Sequence, residues 1–83
     1  MKNGDLRVWW NRNGKQTTYK VNDVEDAKAI ITELTNDDLN NDTVIWNAGG
    51  LEVYEDGEWS EWYSEEGLDI MEIIDNENEE YIY

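Results

Sequence analysis

The chain lacks cysteine and histidine altogether, and it carries no basic residue beyond position 28 of its 83. Without cysteine no disulfide can staple a small fold, and without histidine the usual zinc and haem ligands are missing. The same absences strip the hydroxyls of Ser60, Ser64 and the threonines of a neighbouring base of the usual kind, so a hydrolase triad is excluded and no reaction or cofactor is expected. No 18 apolar residues run together to span a bilayer, and Met1 to Asp5 lead into no apolar stretch of a signal peptide. A cytoplasmic protein without membrane contact is the expectation.

What the chain does have is aromatic bulk and acid. Eighty-three residues make a single domain over 1–83, in which roughly 60 to 65 per cent of the unfolded surface can be buried. Five Trp and five Tyr supply the large side chains that such a core needs, and they argue against disorder despite a net charge of −15. The charge is lopsided. Residues 1–28 hold all six bases and four acids, a net of +2, whereas the following 55 residues hold 17 acids and no base. Such a surface repels nucleic acid and anionic lipid and speeds encounter with basic surfaces.

Turn chemistry sets the organisation. Asn13-Gly14 is a strong two-residue hairpin signal that folds 6–12 onto 15–21, and Asp56-Gly57 repeats it for 51–55 onto 58–63. In the first hairpin Leu6, Val8, Trp10, Thr17, Tyr19 and Val21 share the core face. Arg7, Trp9, Asn11, Gln16, Thr18 and Lys20 share the other. Arg7 then faces Lys20, a like-charge pair that calls for an anionic neighbour. Between the hairpins, Asn22 is placed to cap a helix with Glu25 reaching back, and Val24, Ala27, Ile30, Ile31 and Leu34 form an apolar stripe from Asp23 to about Asn36. Thr35 to Thr43 reads as a loop with a further turn near Asp37–Leu39, and Val44–Trp46 as a short strand. Asn47 to Gly50 reads as a break, a bulge or a close backbone approach. After Gly67 the apolar spacing favours a short C-terminal helix, with 76–83 as a loose tail or, at Tyr81-Ile82-Tyr83, an edge strand. The fold class is therefore α+β: two β-hairpins in a mainly antiparallel sheet packed on one helix, with a short C-terminal helix.

Several constellations dissolve on inspection. Asp38, Asn40 and Asp42 begin an EF-hand alternation, but Thr43 stands where glycine is required and Gly49 where glutamate is required, so no metal site is assigned. Gly49-Gly50 lacks the lysine and helix of a phosphate cradle. Glu52 opposite Glu61 has the makings of a carboxylate pair, yet close pairs arise by chance among 21 acids. Trp9 beside Arg7 and Lys20 resembles a single-strand platform, which the overall charge opposes; covering by the C-terminal segment is the plainer expectation.

One cluster remains: Glu52, Tyr54, Glu55, Asp56, Glu58, Trp59, Glu61, Glu65 and Glu66. It reads either as a solvated acidic hairpin or as a partner-binding surface, with Tyr54 and Trp59 as anchors and the carboxylates for steering. Alternate strand carboxylates are spaced roughly 6.6 to 6.8 Å apart, which suits mimicry of a nucleic-acid backbone.

At Arg7-Val8-Trp9-Trp10, and above all across Asn47 to Trp59 (N-A-G-G-L-E-V-Y-E-D-G-E-W), the chain resembles a family of small acidic bacteriophage and prophage proteins. The resemblance covers most of the chain. Family members often have Phe at the Tyr54 position and a proline-containing stretch where this chain has Asn11 to Gly14. The resemblance implies a phage setting and assigns no residue a role. From the class it implies an inhibitor, of DNA-mimic or anti-CRISPR type, that covers the basic surface of a host nuclease, restriction or other defence protein in the host cytoplasm, without binding nucleic acid itself. Two other expectations stand beside it: a small-ligand or signal-nucleotide module, as a homodimer with a site around Arg7, Trp9 and Lys20, and a virion or assembly component.

Overall fold

Asn13 and Gly14 both take positive φ, 54° and 91°, and close the first hairpin between β1 (Leu6–Arg12) and β2 (Lys15–Val21) in the register that the turn dictates, with Arg12 opposite Lys15 and Leu6 opposite Val21. The structure, a computed structural model, describes residues 1–80. Asp56 and Gly57, at φ 52° and 85°, close the second hairpin between β3 (Asn47–Glu55) and β4 (Glu58–Glu61). The hairpins join through β1 and β3, antiparallel, with Leu6 opposite Val53 and Arg12 opposite Asn47. The result is one antiparallel sheet of order β2-β1-β3-β4, with the Asn13-Gly14 and Asp56-Gly57 turns at opposite ends.

Two helices cover one face of this sheet. Helix α1 (Val24–Leu39) is capped by Asp23, not by Asn22 as the sequence pattern suggested. The Asp23 carboxylate accepts the Asp26 N–H at 2.8 Å, and Asp26 accepts from Asn22 N at 3.2 Å. The capping arrangement is thus shifted by one residue, and it sets a carboxylate, not an amide, at the positive end of the helix dipole. Ala27 and Ile31 are buried against Val8, Trp10, Val21 and Leu51, with Val24, Ile30 and Leu34 packed around them. Thr17, expected inside, is exposed.

α1 runs past the expected end near Asn36 because Asp38 is pulled into the interior, as described below. α2 (Ile70–Glu80) follows Gly67; Ile70 is buried, and Met71 and Ile74 pack on the same core. The Asp69 carboxylate accepts the Glu72 N–H at 2.9 Å at its start. Lys28 reaches from α1 to Glu77 at 2.6 Å, so residues 76–80 continue the helix where a loose tail was expected. The proposed edge strand at Tyr81-Ile82-Tyr83 lies outside the described residues.

Val44–Trp46 is not a strand. These residues are held by Asn13, whose side chain accepts from Ile45 N at 2.7 Å and donates to the Thr43 carbonyl at 2.9 Å. β3 instead runs without a break through the glycine pair. A Cβ at Gly49 would lie 2.2 Å from Trp10 Cε3, and one at Gly50 would lie 2.6 Å from Trp9 Nε1. Only a residue without a side chain lets the two indoles lie across β3 at these positions. Among the described residues no helix is long and apolar enough to cross a membrane.

Candidate functional site

The register sets Lys20, Arg7, Glu52 and Glu61 in one row across all four strands, on the face away from the helices. The row reads two cations and then two anions. At its centre Arg7 Nε donates to Glu52 Oε1 at 2.8 Å. The Arg7 guanidinium carbon sits 4.2 Å from the centroid of the Trp59 ring, which meets Tyr54 edge-on at 5.3 Å between centroids and 65° between planes. The anionic neighbour required by the Arg7/Lys20 pair is therefore Glu52, from the acidic half of the chain. Arg7 is fixed on three sides, by Glu52, Trp59 and the strand that carries it, and a cation over an indole face is favourable.

Beyond Glu52 the row ends on Glu61, which is exposed and has no basic partner among the described residues. Partial desolvation and the nearby carboxylates of Asp69 and Glu52 push its carboxyl above the ordinary value of 4.5, and a hydrogen bond from Trp9 only partly offsets them. Trp9 itself is half-buried over Gly50 and against Glu61. The described part of the C-terminal segment, α2, packs on the opposite face of the sheet, so it is not what covers Trp9.

The nine acidic and aromatic residues singled out from the sequence are divided among three places. Glu52, Tyr54, Trp59 and Glu61 share the helix-free face. Glu55, Asp56 and Glu58 surround the Asp56-Gly57 turn, all exposed and without an ion pair among the described residues. Glu65 and Glu66 lie beyond β4, on a turn between Ser64 and Leu68 closed by Ser64 N to the Leu68 carbonyl at 2.8 Å and Gly67 N to the Ser64 carbonyl at 2.9 Å.

The alternative grouping of Arg7, Trp9 and Lys20 is redrawn. Arg7 and Lys20 border a cavity of about 140 Å3 with Met1, Asp5, Thr18 and Trp59. Trp59 takes the place expected of Trp9, because Trp9 leans across Gly50 while Trp59 lies over the Arg7 side chain. The volume is well below the roughly 300 to 1,000 Å3 of ordinary small-molecule sites.

One polar centre went unread in the sequence. Asp38, 6% exposed, accepts from Trp10 Nε1 at 3.0 Å and from Asn47 Nδ2 at 2.8 Å, and it pairs with the Arg12 guanidinium. Burial pushes its carboxyl up, but the hydrogen bonds from Arg12, Asn47 and Trp10 outweigh that and hold it below 3.8. The signal was Arg12 itself, next after Leu6, Val8 and Trp10 in the core-facing row, where a cation requires an acid. This centre ties the last turn of α1 to the sheet and leaves no room for Asp38 in a metal loop.

Comparison of the chain with protein-family models, with curated proteins and with solved structures gave no match.

Proposed function

We propose that the chain is a phage-encoded acidic binding module that occupies the basic surface of a host nucleic-acid-binding or defence protein. The observation that carries this reading is that Glu55, Asp56, Glu58 and Glu61 have no internal cation among the described residues, although they adjoin a half-buried aromatic pair, Tyr54 and Trp59. The stack on Arg7 uses one face of Trp59 within the chain, and interfaces concentrate their energy in such half-buried aromatic side chains while charge does the steering. The raised carboxyl of Glu61 points the same way: the bond from Trp9 only partly offsets its desolvation and the nearby carboxylates, and a partner's Lys or Arg would relieve it.

The test is displacement of a fluorescent DNA duplex from purified bacterial nucleases and DNA-binding proteins. The wild-type chain should release the duplex from its target, less so as salt rises, and the Glu55→Gln, Glu58→Gln, Glu61→Gln triple variant should do so with a slower association rate. Glu52 is left intact because it holds Arg7. Displacement unchanged by the triple variant or by salt overturns the reading.

A further inference from the structure

On the helix side, away from the open sheet face, the chain has a second surface feature. Between the Ser64–Leu68 turn and α2 lies an open groove of about 530 Å3 lined by Trp62, Leu68 and Ile73, with Ser64 and Asn76 as its polar points and Glu65 and Glu66 beside it. Trp62 packs part of its ring on the core, but Leu68 and Ile73 are half-buried without joining that core. The helix phase explains why: Ile70, Met71 and Ile74 form the inward stripe of α2, which leaves Ile73 and Asn76, three residues apart, on its flank. Two large aliphatic side chains thus line an open surface groove.

The wall of the groove is ordered. Ser64 closes its turn with the two backbone hydrogen bonds already described, and its Oγ accepts from Leu68 N at 3.2 Å; Gly67 takes the positive φ of 83° that the turn needs. Glu65 and Glu66, at the crest of this turn, are exposed and unpaired among the described residues. Trp62, Leu68 and Ile73 make the groove apolar within, and the charged residues of its lining, Glu65 and Glu66, are both acidic.

We infer that this groove receives an apolar side chain from a partner segment whose flanking residues are lysine or arginine, the apolar group seating on Trp62, Leu68 and Ile73 and the cations pairing with Glu65 and Glu66. The inference rests on the acidic-module reading and extends it, because it names the recognition element that a basic partner surface must carry. A plain polybasic surface satisfies the carboxylates and leaves the groove empty; an apolar residue set among bases fills both.

The test uses three short synthetic peptides on the full chain, followed by NMR at the Trp62 indole and the Leu68 and Ile73 methyls: lysines around a central leucine, lysines around a central serine, and glutamines around a central leucine. The lysine–leucine peptide should shift all three probes saturably and bind about tenfold tighter than either control. Glu65→Gln with Glu66→Gln should remove the advantage over the glutamine peptide, and Ile73→Ser, whose folding is checked by its thermal transition, should remove the advantage over the serine peptide. Equal affinity for the leucine and serine peptides, or shifts confined to Tyr54 and Trp59, overturns the groove. DNA displacement that persists in folded Ile73→Ser also counts against the groove while leaving the acidic module standing. Groove binding by a chain that displaces no duplex supports the groove and removes the inhibitor reading.

Discussion

Arg7 and Glu52 stand opposite each other in the central strand pair, and their 2.8 Å bond is the one ion pair of the open sheet face among the described residues. It turns a row that would otherwise repel at both ends, Arg7 against Lys20 and Glu52 against Glu61, into one with an attractive middle. Arg7→Gln is expected to cost about 1–2 kcal/mol, combining a partly exposed ion pair with the loss of the stack on Trp59. Denaturant unfolding of Arg7→Gln, Glu52→Gln and the double variant checks it. The two side chains should be coupled, so the double variant should lose less than the sum of the singles.

Glu61 is expected to behave in the opposite way to most native carboxylates. Its folded-state carboxyl titrates above 4.5, so the folded chain holds this proton more tightly than the unfolded chain does. Stability from this group is therefore present below 4.5 and is lost as pH rises through the higher folded value. Glu61→Gln should accordingly be as stable as wild type or more so at neutral pH, by less than about 1 kcal/mol for a group this exposed. A destabilised Glu61→Gln at neutral pH contradicts the assignment. A gain in stability joined to a loss of DNA displacement would identify Glu61 as a residue whose local cost in the free chain accompanies its use in binding.

Much of the fold was legible because it rests on local chemistry. Asn13-Gly14 and Asp56-Gly57 each fix a hairpin register by themselves, and the stripe from Val24 to Leu34 marks a helix without reference to anything else. The order of the strands was not legible, since pairing β1 with β3 is a contact between distant segments that no turn dictates. From that pairing come the Arg7–Glu52 bond, the stack on Trp59 and the merging of two separately noted groups, Arg7 with Lys20 and Glu52 with Glu61, into one row. The same dependence left the close approach at the glycine pair as one alternative beside a break or a bulge, since its reason is two indoles on another strand.

Gly49 and Gly50 should differ in their tolerance of a methyl group. Gly50→Ala sets a Cβ against Trp9, which is only half-buried, on the open face of the sheet. Gly49→Ala sets one against Trp10, which is buried and pinned by its hydrogen bond to Asp38. Overpacking of a filled site costs roughly 1–3 kcal/mol, with Gly49→Ala at or above the upper end and Gly50→Ala near the lower. Thermal unfolding of the two variants checks the order, and Gly49→Ala should cost less in a Trp10→Phe background than in wild type, because the shorter ring clashes less.

Asp38 provides the last test, because its carboxylate is the shared acceptor for a buried indole, an amide and a guanidinium. Asp38→Ala leaves the Trp10 N–H buried without a partner, which costs roughly 1–3 kcal/mol, and it also frees the end of α1. Asp38→Asn should cost less, since an amide oxygen still accepts from Trp10 while the Arg12 pairing is lost. The pH dependence follows from a carboxyl held below its ordinary 3.8: the contribution is complete above 3.8 and drains away as pH falls through the lower folded value. Carbon-detected titration of the Asp38 carboxyl, set beside acid unfolding of wild type and Asp38→Asn, decides the matter. Wild type should lose more stability than the variant as pH falls below 3.8, with the difference reduced by Arg12→Gln, since Asn47 and Trp10 still donate to Asp38; a difference unchanged by Arg12→Gln would mean that Arg12 and Asp38 are neighbours without an energetic link.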